Sequence, residues 1–360
     1  MQDKTKNEII TIGFIAILVF FLFINILSKD KEISTTERRK LAQLPKITSN
    51  KILNRTAMEE WEKYAEDQFI KRDSFRKIKS HWNNNIFFQK DNNQLFEKDN
   101  AIYKMEYEIK EENIKKSAQK INEVYQKYLK NMNVYYSAIP DKNYYLKNDD
   151  HLKMNFDEVI KITDKELPNI KYIDISKSLD LSDYYRTDLH WKQENLQNVV
   201  KTIENNMNLN NTNIKYDIQD KGDFYGAYYG QLATNVSPDK LKVLTNETIK
   251  NCSTYNYETQ KNAPIYIETN SADRYDIFLS GATSLISINN PNAQTDKELL
   301  LFRDSFGSSL APLLVENYKK ITLIDLRYIS SELLSNYIEF TNQDVLFIYS
   351  TLILNQNILK

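Results

Sequence analysis

Apolar positions run unbroken at one place only near the start of the chain, Ile9–Leu27 (IITIGFIAILVFFLFINIL), with Thr11 and Asn25 as the polar interruptions. At the rise of an α-helix this run reaches roughly 28 Å, close to the hydrocarbon thickness of a bilayer. The pattern predicts a transmembrane anchor at residues 9–28 behind a cytoplasmic tail at 1–8. The following Leu27-Ser28-Lys29-Asp30 lacks a small-x-small cleavage site, so an uncleaved anchor is expected. Beyond it, Ala57, Trp61, Tyr64, Ala65, Phe75 and Ile78 predict an amphipathic helix interrupted near Lys71-Arg72-Asp73, within a helical stalk or cap at 29–100.

From about residue 101 the period alternates. Ile114, Ala118, Ile121, Tyr125 and Tyr128 mark a helical face, and Leu196, Val199, Val200, Ile203 and Met207 mark another. Between and after them stand short apolar runs at 134–139, 170–175, 299–302, 321–325 and 345–349, which predict strands. Strands alternating with helices imply an α/β fold with a mostly parallel sheet covered on both faces. Residues 208–298 break the rhythm with Asn, Thr, Ser and Gly, and are expected as an insertion over the active-site end of a domain at 101–360.

Composition narrows the chemistry. The net charge is −1, which offers no basic surface for nucleic acid. One cysteine, Cys252, and three histidines, His81, His151 and His190, leave too few ligands for a Cys- or His-based metal site. Around the anchor, Lys4 and Lys6 precede the span while Lys29, Lys31, Arg38, Arg39 and Lys40 follow it. That count opposes export of the large domain, whereas the short leading tail favours it. An extracytoplasmic domain on a single-pass anchor is the expectation.

Two segments carry nameable chemistry. Thr187-Asp188-Leu189-His190-Trp191 supplies an acid and an imidazole two residues apart, which share a side if the segment is extended. Leu189 would then face the core, and His190 would be an exposed base. Arg303-Asp304-Ser305-Phe306-Gly307 follows the apolar run Leu299–Phe302 and leads into a helical pattern. A serine on such a turn presents its hydroxyl, with its amide at a helix start. Each segment alone has a plain reading, since Asp188 and Asp304 are both good helix caps. Together they name an acid, a base and a nucleophile in the order Asp188, His190, Ser305. His151 lies in a polar loop, and His81 sits beside Trp82 on the stalk helix, where packing suffices. Arg327 and Tyr328 are read equally as groove lining or as a structural pair. Tyr225, Tyr228 and Tyr229, around Gly226 and Gly230, are read as sugar-stacking rings or as packing.

The chain resembles the DHHW family, whose motif stands here as Asp188-Leu189-His190-Trp191, and through it the SGNH-hydrolase-like domains of alginate O-acetyltransferases. Other segments share in the likeness: Glu37–Pro45, Phe69–Asp73, Pro140-Asp141-Lys142, Tyr275–Leu279, the serine block and Ile324–Tyr328. The resemblance implies a three-layer α/β/α domain and a Ser-His-Asp acyltransferase without cofactor. The implied substrate is an exopolysaccharide or cell-wall glycan, and the implied acyl donor a membrane-bound O-acyltransferase partner. Leu189 stands where the family has a second His. Ser280-Gly281-Ala282-Thr283 stands where an oxyanion-holding Asn is expected, leaving backbone amides and Thr283 as donors. Two other readings follow: a catalytically degenerate glycan-binding scaffold, and an esterase that gives the acyl group to water.

Overall fold

The computed structural model describes residues 2–34, 36–86, 89, 91–92, 94–209, 214–268, 271 and 273–360. The chain divides into two compact units, one of Met1–Asn92 with Tyr229–Asn235, the other of Asn93–Tyr228 with Val236–Lys360.

In the first unit the helix Gln2–Leu27 contains a stretch, Asp3–Leu27, that is long and apolar enough to cross a membrane, with its side chains facing outward. Its polar Asn25 is engaged, accepting from the Ile70 amide at 2.7 Å. The amphipathic pattern expected as one interrupted helix is two, Thr56–Gln68 and Arg72–Asn85. Lys71 adopts the left-handed conformation at the break (φ 53°). An ion-pair knot holds this turn. Arg39 grips buried Asp67 with both guanidinium nitrogens, and Arg72 pairs with Glu37 at 2.6 Å. Phe21, Phe69 and Phe75 pack together beside it. The segments Glu37–Arg39 and Phe69–Asp73 thus serve one local structure.

The second unit is built on eight strands. These are β1 Val134–Ile139, β2 Lys171–Tyr172, β3 Ser253–Asn256, β4 Lys261–Pro264, β5 Leu285–Asn289, β6 Glu298–Arg303, β7 Lys320–Ile324 and β8 Asp344–Ser350. Their order is β4-β3-β5-β7-β6-β8-β1-β2. The five from β7 to β2 run parallel, and β4-β3-β5 join β7 antiparallel. The central strands are unbroken apolar runs because both faces are covered. Alternation sorts them: Leu299 and Leu301 of β6 pack with Val199, Val200, Ile203 and Leu310 on one face. Leu300 and Phe302 pack with Ile114, Ile121, Val159 and Ile162 on the other. The result is a mixed α/β domain with a large, mostly parallel sheet.

Three departures from the sequence reading have local causes. The strand expected over 170–175 is only Lys171–Tyr172, because the Asp174 carboxylate accepts from both the amide and hydroxyl of Ser176 and turns the chain. The helix Glu111–Val124 ends in a π-helical turn, Tyr125–Leu129. Residues 208–298, expected as an insertion, supply β3, β4 and β5 to the sheet, and β5 pairs with β7 from Leu285↔Ile324 to Asn289↔Lys320. Their polar punctuation belongs to a separate hairpin, Asp217–Phe224 with Asp239–Thr245, and to the connecting loops.

Candidate functional site

β6 ends at Arg303, and the helix Ser305–Leu310 begins two residues later. Asp304 caps this turn from both sides: one carboxylate oxygen accepts from the Phe306 amide at 3.0 Å, the other from the Ser350 amide at the end of β8 at 2.7 Å. The chain then folds so tightly that a β-carbon on Gly307 would lie 2.5 Å from that of Arg303. Only glycine fits there. Ser305 is left half-buried as the first residue of its helix, and its amide donates to none of the described residues.

Asp188 and His190 come together by a mechanism other than strand alternation. Residues 186–190 form a succession of bends closed by a bridge between Tyr184 and Trp191. The Asp188 carboxylate turns back on its own loop, accepting from the His190 amide at 3.0 Å and meeting His190 Nδ1 at 2.6 Å through the same oxygen. Its second oxygen accepts from the Ala227 amide at 2.7 Å. Gly226 makes this approach feasible, because a β-carbon there would stand 2.2 Å from the Thr187 carbonyl oxygen and 2.4 Å from Asp188 Cβ. On the far side of the ring, His190 Nε2 lies 2.8 Å from Ser305 Oγ. One hydrogen-bonded line therefore runs from a fully buried carboxylate through an imidazole to a hydroxyl. His190, expected as exposed, is buried (6% exposed), with the rings of Tyr275 and Phe306 packed against its imidazole. Leu189 is half-buried and packs against the core.

The next shell is polar and buried. Tyr275 lies flat on the His190 ring, with centroids 3.9 Å apart and planes 11° from parallel. Its hydroxyl donates to Ser309 Oγ at 2.8 Å, which also accepts from Trp191 Nε1 at 2.8 Å. Gln193 spans two elements, donating to the Ser309 carbonyl and accepting from the Leu244 amide. Beneath the bends, the Lys142 ammonium is fully buried and donates to the carbonyls of Tyr185, Arg186 and Asp188 at 2.9, 3.1 and 2.7 Å. Burial pulls it down to about 8 and pushes its neighbour Asp141 up to about 6. None of Tyr275, Ser309 or Lys142 was legible as a site residue in the sequence, although Lys142 and Tyr275 lie in family-like segments.

Other residues singled out by sequence stand elsewhere. Thr283 is buried, with its hydroxyl and carbonyl within 3.5 Å of the Arg303 guanidinium. Arg327 pairs with Asp325 at 2.9 and 2.7 Å, a buried carboxylate that Arg303 also approaches at 3.4 Å. Tyr328 is half exposed, under the Arg327 guanidinium. Tyr225 is 45% exposed, while Tyr228 is buried against Lys142. His151 bonds Asp149 and stacks on Phe96 at 3.6 Å. Among the described residues no cluster of three His, Cys, Asp or Glu is placed to hold a metal.

Chemically, the line can move a proton from Ser305 Oγ to His190 Nε2, with Asp188 holding the imidazole by Nδ1. The DHHW protein family model matches residues 171–324, which contain all three. No curated protein matches the chain in sequence. In structure it is similar to a DHHW family protein from Eubacterium siraeum, 19% identical, with a TM-score of 0.62 over 75% of this chain and 97% of that one. It is also similar to Bacillus cereus PatB1 solved with a sulfonyl adduct, 21% identical, with a TM-score of 0.59 over 74% of this chain and 98% of that one. The O-acetyltransferase domain of Pseudomonas putida AlgJ aligns more loosely, 10% identical, TM-score 0.45, over 72% of this chain and 92% of that one. The chain resembles the DHHW family across the segment that bears Asp188, His190 and Ser305.

Proposed function

We propose that this protein is a membrane-anchored O-acetyltransferase acting on an extracytoplasmic exopolysaccharide or cell-wall glycan, with an SGNH-hydrolase-like domain and an acetyl-Ser305 intermediate. The observation that carries the reading is the hydrogen-bonded line Ser305–His190–Asp188 at 2.8 and 2.6 Å. Ser305 Oγ attacks the donor's acyl carbon while its proton passes to His190 Nε2. The bond to the leaving oxygen then breaks, and that oxygen takes the proton from His190. A glycan hydroxyl attacks the acetyl-serine, gives its proton to the same nitrogen, and Ser305 Oγ leaves and is reprotonated. Asp188 keeps the imidazole in the tautomer that accepts at Nε2 and stabilises the imidazolium in between. The Ser305 amide donates to the developing oxyanion, a contribution of roughly 3–4 kcal/mol for one such donor.

Bacillus cereus PatB1 with its sulfonyl adduct supports the reading, since sulfonyl electrophiles are captured by activated nucleophiles. The donor would be a membrane-bound O-acyltransferase partner, and the Asp3–Leu27 helix would hold the domain at the outer side of the bilayer. A second reading, a glycan-binding scaffold with a weakened site, rests on Thr283. Its hydroxyl oxygen stands 3.5 Å from the buried Arg303 guanidinium, and in this reading Thr283 belongs to that buried pair and serves no oxyanion. Water as acceptor would make the same site an esterase. The test is acetate transfer from an aryl acetate to glycan oligosaccharides by the full chain in detergent. Acetylated sugar in the wild type, absent in Ser305→Ala, supports transfer. Acetate release without acetylated sugar favours the esterase, and neither product favours the scaffold.

A further inference from the structure

The Tyr275 ring covers one face of the imidazole that joins Ser305 and Asp188. Two independent anchors hold that ring. Its hydroxyl is tied to Ser309, one turn beyond Ser305 on the same helix. Its backbone sits in the short helix Arg274–Ile277, where the Asp273 carboxylate accepts from the Tyr275 amide at 2.9 Å. Behind the ring lies a small separate core that includes Tyr185, Phe224, Val243 and Phe278. Phe278 and Tyr185 meet Tyr275 directly, at 4.9 and 6.5 Å between centroids. That core joins Tyr185, from the loop that carries Asp188 and His190, to the Asp217–Thr245 hairpin and the 275–278 turn.

Resting on the reading of Ser305 and His190 as nucleophile and base, we propose that Tyr275 is a positioning residue that fixes the plane of the His190 imidazole and couples it to the nucleophile helix through Ser309. An imidazole held by Asp188 at Nδ1 alone still rotates about that bond, carrying Nε2 away from Ser305 Oγ. A parallel ring at 3.9 Å removes that freedom, and its negative π-face also favours the cationic imidazole formed during transfer. The Ser309 tie makes the device specific. Trp191, next to the base, and Tyr275, on its face, both bond the same serine oxygen. The base loop, the nucleophile helix and the 275 turn are thereby set in one register.

The test uses the full chain in detergent with Tyr275→Phe, Tyr275→Met and Tyr275→Leu. The readouts are kcat and KM for an aryl acetate, the rate of Ser305 sulfonylation by phenylmethylsulfonyl fluoride, and the melting temperature. Tyr275→Phe keeps the ring and loses the Ser309 bond, so kcat should fall by no more than about threefold. Met and Leu keep apolar bulk and lose the ring, so kcat and the sulfonylation rate should fall at least tenfold, with KM within twofold. The ordering follows the aromatic face and not the melting temperature, since a 1 Å displacement of a catalytic group costs up to a hundredfold in rate. If Leu or Met fails to melt cooperatively, Ser309→Ala, which removes the bonds from both Tyr275 and Trp191, should lower both rates about threefold to fivefold at unchanged KM. Equal rates across Phe, Met and Leu, or losses that track stability alone, overturn the role of Tyr275. Absence of sulfonylation at Ser305 in the wild type overturns instead the reading of the site beneath it.

Discussion

Lys142→Met removes a buried cation and keeps most of its volume. The ammonium's three protons all go to carbonyls of the bends that end in His190. The Arg186 carbonyl keeps the Ile102 amide at 2.8 Å, so the loss falls on the carbonyls of Tyr185 and Asp188, at about 1–3 kcal/mol each and about 2–6 kcal/mol together. Against this, the downward displacement of Lys142 from 10.5 to about 8 reflects the burial of its charge. At about 1.4 kcal/mol per unit, the variant regains roughly 3 kcal/mol at neutral pH. Loss of stability should win by about 1 kcal/mol at neutral pH. In a protein this large that lowers the melting temperature by about 2 °C at pH 7.5. The sign of the pH dependence is fixed. With the folded value below the unfolded one, the stability Lys142 contributes is full above 10.5 and is lost as pH falls through about 8. The gap between wild type and Lys142→Met should therefore widen from pH 7.5 to pH 10. Thermal melts of both proteins across that range, with aryl acetate turnover at pH 7.5, provide the assay. Turnover should fall at least tenfold, because the Asp188 carbonyl is released. A variant as stable and active as the wild type, or a gap that narrows with rising pH, would refute the reasoning.

Asp141→Asn should stabilise the protein by up to about 3 kcal/mol at pH 8 and by only about 0.5 kcal/mol at pH 4. Burial raises Asp141 to about 6, so its contribution is present below 3.8 and lost above 6, as paired melts at the two pH values would report. Gly226→Ala forces a methyl group onto Thr187 and Asp188. It should cost about 1–3 kcal/mol and displace the Ala227 amide from Asp188, lowering turnover more than it raises KM. Leu189→His restores the family spelling but buries part of an imidazole against the core, so it should lose stability without gaining turnover. A reporter fused after Lys360 should be active only outside the cytoplasm, and cytoplasmic activity would remove the glycan from reach.

Much of this was legible because local patterns answered to local physics. Unbroken runs such as Leu299–Phe302 and Val345–Tyr349 read as strands covered on both faces, and they are. The acid, base and serine were nameable because their order and spacing are carried in two short segments. The reason they meet was not legible. Asp188 reaches His190 through an Asx-type turn, and its second oxygen is bonded from Ala227, 39 residues on. Gly226, beside tyrosines, read as part of a loop for sugar stacking or for packing, whereas a close approach to Asp188 demands it. Residues 208–298 looked like an insertion because β4 carries exposed polar residues at the sheet edge, and β3 beside it is short and only partly buried. Tyr275 gave no signal because stacking leaves none in spacing.

The central claim is that Ser305 carries the acyl group. The most direct measurement is the mass of the Ser305 peptide after brief exposure of the full chain to an aryl acetate and acid quench. One acetyl group on Ser305 in the wild type is predicted, absent from Ser305→Ala and from His190→Gln. An unmodified serine in a folded wild-type protein that releases acetate, or acetylation that persists in Ser305→Ala, would contradict the account.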